Sequence, residues 1–398
     1  MSRHVPPGLE IFARFLRLGL TSFGGPVAHL GYFRREFVAN ARWVDDATFA
    51  EIVALCSVLP GPTSSQVGIV LGLRRGGWFG AILAWLGFTL PSALVLGALG
   101  TFARSSASTT HTRALNGLAH GLVAAAAAVI LLAVVALART LLRTPLAGSI
   151  AIGAFVVALG LDRYAPGLQW LPLVAGGVVG GAFGVASELP EGPPLVAIPR
   201  RTGVLAGAIL AVLLVALPIV ATSGSALGLF ALFFRAGSLV FGGGHVVLPF
   251  LQGAIGPLVA ERDFFAGYGA AQAVPGPLFT FAAYLGATNV SATTGPLGAT
   301  IATLGIFAPS FLLVTAALPL WASLRAVPRA GAVLAGLNAA VVGLLSAVFV
   351  DPIALGLARE PVTALLAAVA FAMLFYVRRL PAWGVVLGAA AIGVASGH

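Results

Sequence analysis

Apolar runs of about 18 or more residues recur along this chain, and each is long enough to cross a lipid bilayer as a helix. In hydrocarbon every backbone N–H and C=O must be satisfied inside the segment, so a chain built this way folds into helices packed side by side. The rest of the composition agrees. Of 398 residues 59% are hydrophobic and 9% are charged, with a mean hydropathy of +1.03, whereas a soluble domain carries roughly a quarter charged residues. The pattern predicts an all-α polytopic membrane protein with about thirteen transmembrane segments, near residues 10–31, 48–73, 78–102, 114–137, 146–161, 168–185, 204–220, 226–250, 264–287, 295–321, 331–350, 361–377 and 381–396. Arg14 and Arg17 fall where a signal peptide would need an apolar core, so the first helix is expected to be retained.

All 22 basic residues are arginine, and they set the net charge of +10. They stand in ones and twos beside apolar runs, where they anchor helix ends at the headgroups; no clustered basic face marks a nucleic-acid site. The single cysteine, Cys56, excludes an internal disulfide and a thiolate cluster. No haem-attachment or nucleotide-binding signature is present, so a membrane reductase has no evident electron carrier, and neither enzyme activity nor a cofactor is expected.

Internal repetition organises the chain. FLRLGLTSFGGPVAHL from Phe15 returns as FFRAGSLVFGGGHVVL from Phe233, aligning Arg17, Gly19, Phe23, Gly24 and Gly25 with Arg235, Gly237, Phe241, Gly242 and Gly243. About forty residues later Pro60-Gly61-Pro62 pairs with Pro275-Gly276-Pro277, and further on Pro91-Ser92 pairs with Pro309-Ser310. The expected organisation is a first repeat over 1–186, a surface linker (Ser187 to Arg201) plus an unpaired helix over 187–225, and a second repeat over 226–398. Six crossings per half and one unpaired helix make the second repeat enter from the opposite face, the inverted-topology plan of many secondary transporters. Assigned to alternate loops, twelve arginines fall on the N-terminal side and seven on the other; if the first two segments of each half turn back instead of crossing, the counts become 14 and 5. Both put the N-terminus in the cytoplasm and the C-terminus outside.

The chemistry belongs where the helices break. Each Pro-Gly-Pro removes two backbone donors inside an apolar segment, and each Phe-Gly-Gly gives permissive backbone in a membrane run. A broken helix exposes an N-terminus whose free N–H groups favour an anion, worth roughly 0.3–1 kcal/mol and about 2 when partly buried. Taking an ion from water costs several kcal/mol, so dipoles alone fall short. Arg17 and Arg235, each six residues before an FGG, are the candidate source of positive charge; the alternative for Arg17 is snorkelling to the nearer interface. Hydroxyls of Thr63, Ser64 and Ser65 can donate to oxyanion oxygens or cap the new helix.

The segments SFGGPVAHL, ALCSVLPGPTSSQ, LVFGGGHVVLPFL and GYGAAQAVPGPLFTFAAYLGA resemble the paired signatures of the chromate ion transporter family, over nearly the whole chain and in its two-half form. The resemblance implies export of chromate from a bacterial cell across the inner membrane, by a carrier driven by membrane potential or proton antiport and conferring chromate resistance. Sulfate is the natural look-alike, and a sulfate or other oxyanion transporter or an anion channel is the alternative reading. Carried over by motif, the site positions are Phe23, Gly24, Gly25, Pro60, Gly61, Pro62 and Gln66, and in the second half Phe241, Gly242, Gly243, His245, Gln272, Pro275, Gly276 and Pro277. Ser57 stands where many relatives carry Gln, while Gln272 keeps that residue in the second half.

For proton coupling the candidates are Glu51, inside a membrane segment, and His29 and His245, which follow the two FGG breaks. Neither histidine has a metal-ligand partner at helical spacing, so no metal is expected. Asp45 and Asp46 read as helix caps at the interface. The expected partners are an oxyanion and the bilayer, and a homodimer is compatible with both.

Overall fold

A computed structural model of the chain describes residues 7–106, 113–164, 168, 170–185, 195–196, 198–221, 224–241, 244–321, 323, 327–377 and 380–396. Most of the linker expected from Ser187 to Arg201 lies outside them, as do Gly242 and Gly243. All regular structure among the described residues is helical.

The first expected segment is two rods. Helix α1 (Pro7–Thr21) buries Ile11, Phe15, Leu18 and Gly19 on one face. It stops at Ser22, and α2 (Gly25–Phe33) begins at Gly25 with Gly24 as its N-cap, and their φ angles of 75° and 99° are ones an L side chain rarely adopts. A π-helical stretch, Arg34–Asn40, prolongs α2. Phe15 stacks on Phe37 at 4.7 Å and meets Phe33 edge-on at 5.6 Å. Arg14 bonds to Glu10 at 3.0 Å and also to Glu36. The two rods therefore lie side by side as a hairpin with its tip at Ser22–Gly24.

A second hairpin follows. Helix α3 (Asp46–Val58) is capped by Asp45, whose carboxylate accepts from Thr48 N at 2.7 Å. That backbone bond, assisted by Arg74, holds the Asp45 carboxyl below the usual range. The chain then breaks at Leu59–Pro62 and returns as the first arm of α4 (Thr63–Ser106). At Gly76 and Gly77 α4 leaves helical geometry and turns back. A straight helix would separate Gly72 and Gly80 by about 12 Å. Instead a Cβ on Gly72 would sit 2.4 Å from the Gly80 carbonyl oxygen, so the two arms touch. The crossing arm, from Trp78 on, runs beside α1, Gly8 meeting Phe79 and Leu83 and Gly19 meeting the backbone of Gly87 and Phe88. Glu10–Arg75 at 3.1 Å and Arg34–Asp46 at 2.7 Å hold the open ends of both hairpins together.

Three more helices complete the first half, α5 (Arg113–Leu141), α6 (Pro145–Tyr164) and α7 (Leu171–Phe183), and α8 (Arg200–Val220) leads to the second. Helix α8 turns Val204, Leu205, Val212, Val215 and Ile219 outward, a surface that suits hydrocarbon.

The second half repeats the plan. Helix α9 (Ala226–Leu239) breaks before a 3-10 turn at Gly244–Val246 and α10 (Val247–Ile255). Helix α11 (Glu261–Ala273) breaks at Pro275–Pro277, continues through a 3-10 turn at Leu278–Thr280 into α12 (Phe281–Thr288), and α13 (Gly295–Ala317) runs back against it. Gly286 and Gly298 make the same backbone approach as Gly72 and Gly80. The turn between α12 and α13 meets the far end of α4, where Arg104 Nη1 donates to Asn289 O at 2.8 Å, while Val290 N donates to Leu258 O at 2.9 Å. Helices α14 (Ala330–Val348), α15 (Pro361–Tyr376) and α16 (Ala382–Ser396) complete the bundle.

Among the described residues five helical stretches are long and apolar enough to cross a bilayer, Thr63–Ser105, Asn116–Leu141, Arg200–Val220, Gly295–Leu320 and Ala330–Leu357. Seven shorter apolar helices accompany them. Thr63–Ser105 includes the reversal at Gly76–Gly77, so its spanning part is the arm from Trp78.

Candidate functional site

Four helix breaks meet in the middle of the bundle, and they meet by exchange between halves. Gly61 N donates to Val240 O at 2.6 Å, so the first Pro-Gly-Pro is bonded to the residue before the second FGG. Gly276 N donates to Ser22 O at 2.9 Å, the same contact with the halves reversed. The two glycines share one conformation, φ 115° at Gly61 and 111° at Gly276. Each also faces the other half's Pro-Ser: a Cβ on Gly61 would lie 3.2 Å from Ser310 Oγ, and one on Gly276 2.7 Å from Ser92 Oγ. These bonds satisfy donors that the prolines leave stranded, which is how broken backbone survives inside a membrane protein.

Beside this junction lies a cavity of about 570 Å3, a size typical of small-ligand sites. Gly24, Gly25 and Pro26 reach it from the start of α2, and Gly244, His245 and Val246 from the start of α10. The first residues of α2 and the 3-10 turn that leads into α10 thus border one space. Its polar side chains include Ser57, Thr63, Gln272 and Asn338, and the C-terminal half of α5, from Val129 to Leu141, forms an apolar wall. Ser57 and Gln272 occupy matching positions before the two Pro-Gly-Pro breaks, and the fold brings both to the cavity. Ser57 Oγ is engaged with Val53 O at 2.7 Å. Gln272 Nε2 is buried and has no hydrogen-bond partner among the described residues, an unmet amide donor on a residue that borders the cavity.

The other expected positions divide. Phe23 packs on Trp383 at 5.7 Å beside the tip. Pro60, Gly61, Pro62, Pro275, Gly276 and Pro277 build the junction and do not line the cavity, while Phe241 adjoins the described end of the second FGG. Gln66 Nε2 donates to Pro60 O at 2.6 Å and braces the first break. Ser64 shares a 3.3 Å hydrogen bond with His29, whose ring is buried against Phe88; Ser65 is buried behind the junction. His245 lines the cavity and shares a 2.6 Å hydrogen bond with the Tyr268 hydroxyl. Glu51 is buried near Trp321, whose Nε1 donates to it, away from the cavity.

Neither candidate arginine lines this cavity. Arg17 is exposed on the outer face of α1, about 200° round the helix from buried Phe15. Arg235 is half-buried in α9.

Asn338 was not anticipated. It is a lone amide in the apolar run of α14, and an uncompensated polar residue at that depth is itself the signal that could have flagged it.

The chromate transporter family model matches residues 9–182 and 227–394, one segment for each half. The chain belongs to the chromate transporter family. It is 34% identical to a chromate transport protein of Pseudomonas aeruginosa over 360 residues, covering 87% of this chain and 82% of that one. A probable chromate transport protein of Synechococcus elongatus is 30% identical over 86% of this chain and 84% of its own length. A chromate transport protein of Cupriavidus metallidurans is 29% identical, with 97% and 92% covered. No solved structure matches the chain. As a member of this family the protein is a multi-pass membrane transporter and not an enzyme.

Proposed function

We propose that this transporter exports chromate, or a tetrahedral oxyanion of like charge such as sulfate, from the bacterial cytoplasm across the inner membrane, with the cavity between the two sets of helix breaks as its binding site. The observation that carries the reading is that the start of α2, the turn leading into α10 and Gln272, with its unpartnered amide, border one cavity. Each N-terminus contributes up to about 2 kcal/mol to holding an anion when partly buried, and each hydrogen bond to a charged ligand roughly 1.5–3 kcal/mol. Gln272, Thr63 and Asn338 therefore supply neutrally what the arginines were expected to supply by charge. Arg17 and Arg235 stay in the proposal as sources of positive potential along the paired helices.

Residues 1–186 and 226–398 are read as two inverted repeats, with the unpaired α8 between them. Three contacts support this. The hairpins of the first half close at Glu10–Arg75, those of the second at Leu258–Val290, and the long arm of α4 separates these places, its far end reaching Asn289 through Arg104. The first two segments of each half are then re-entrant pairs, and the arginine balance is 14 to 5, with the N-terminus inside and the C-terminus outside. The cavity extends toward Thr140 and Leu141 at the cytoplasmic end, so it faces the compartment from which the anion is taken.

With the cytoplasm negative, a dianion leaving the cell gains about 4.6 kcal/mol at 100 mV, twice the 2.3 kcal/mol per charge. That is enough for uniport; proton antiport through His245, the candidate that lines the cavity, adds to it. The test is chromate flux in vesicles holding the purified protein. We expect flux that rises with an imposed potential driving anions from the cytoplasmic face to the outer one, with sulfate competing. Flux no greater than in empty vesicles would overturn the reading, and flux at channel rates without saturation would favour the anion channel.

A further inference from the structure

A second, smaller cavity lies in line with the first. It has a volume of about 120 Å3 and is bounded by α5 through Asn116, Ala119 and Leu122 and by α11 through Arg262, Ala266 and Ala270. The same two helices border the larger cavity further along, α5 from Val129 and α11 at Gln272. Between them the helices touch without bulky side chains. Gly269 of α11 lies so close to α5 that a Cβ on it would stand 2.2 Å from Leu122 O, and Ala125 of α5 belongs to a small buried cluster against which Ala273 of α11 packs. At the outer rim Arg262 Nη2 donates to Asn116 O at 2.7 Å and Nη1 to Asn116 Oδ1 at 3.3 Å, tying α11 to the first turn of α5.

We propose that the small cavity is the second mouth of the transport path, and that the α5–α11 seam between Leu122 and Val129 is the gate that separates it from the binding cavity. The inference rests on the transporter reading above. A seam of alanine and glycine parts and closes with no large side chain to move, and it brings the backbones together tightly enough to exclude water when shut. The Arg262–Asn116 bonds break and re-form as α11 moves. Arg262 offers a departing oxyanion a guanidinium at the rim, and Asp263 beside it keeps that contact brief by repulsion. In this structure Thr140, at one end of the larger cavity, is exposed while Gly269 and Leu122 are in close backbone contact, as one of the two states that alternating access requires would have it.

The test uses single cysteines in a Cys56→Ser background, reconstituted and exposed to a thiol reagent that cannot cross the membrane. Ala119→Cys and Ala103→Cys report the small cavity, and Ala136→Cys reports the large one. We expect Ala119→Cys and Ala103→Cys to react from one face and Ala136→Cys from the other, with modification of any of them lowering chromate flux at least threefold. Reaction of both cavities from one face, no reaction of the small cavity from either, or a loss of less than threefold on its modification would overturn the seam. Absence of flux in the unmodified Cys56→Ser protein and the wild type would instead count against the transporter reading itself.

Discussion

At Gly61 and Gly276 a single hydrogen atom in place of a methyl group decides whether the halves can join. Both residues hold φ near 110°, both donate their N–H to the other half, and both sit against a serine hydroxyl of that half. Gly61→Ala would strain the backbone by roughly 1–3 kcal/mol and push its Cβ to 2.7 Å from Gln66 Nε2. Chromate flux should fall at least tenfold in Gly61→Ala and Gly276→Ala, with protein still inserted in the membrane; flux within twofold of wild type would remove the junction from the mechanism. Arg17 shows the opposite lesson. Its place six residues before FGG is shared with Arg235, but the helical phase set by Ile11, Phe15 and Leu18 turns it outward. That phase was legible in the sequence, and sequence symmetry alone gave it too much weight.

At the scale of elements, the breaks were the most legible feature. Helices end at Thr21, Val58, Leu239 and Ala273, just before the FGG and Pro-Gly-Pro motifs, because proline and glycine act on their own backbone and need no tertiary context. Asp45 capping α3 was readable for the same reason. The walls of the cavity were not. The stretch Val129–Leu141, Asn338 and Ala382 come from helices outside the repeated motifs, and which face of an almost wholly apolar helix turns inward is set by packing that a weak amphipathic signal does not encode. The hairpins yield a topological prediction. A cysteine at Ala41, between the first two hairpins, and one at Ser291, between α12 and α13, should react with an impermeant reagent from opposite faces, Ala41→Cys from the cytoplasm. Reaction from the same face would mean that the halves are not inverted.

At the scale of the whole molecule, the arginine distribution, the two halves and the junction between them express one physical problem. A dianion must leave water, cross hydrocarbon and be released, so its site must offset dehydration without holding it fast. A site of helix ends, amides and a hydroxyl, with no arginine among the described residues of the cavity wall, suits release better than a fixed guanidinium would. The most direct test is equilibrium binding of labelled chromate to the purified protein and two variants. Gln272→Leu, which removes the unpartnered donor beside the cavity, should weaken binding at least tenfold, the lower end of what one hydrogen bond to a charged ligand is worth, while Arg17→Ala should bind within twofold of wild type. The reverse order, with Gln272→Leu unchanged and Arg17→Ala crippled, would place the oxyanion elsewhere and contradict the account.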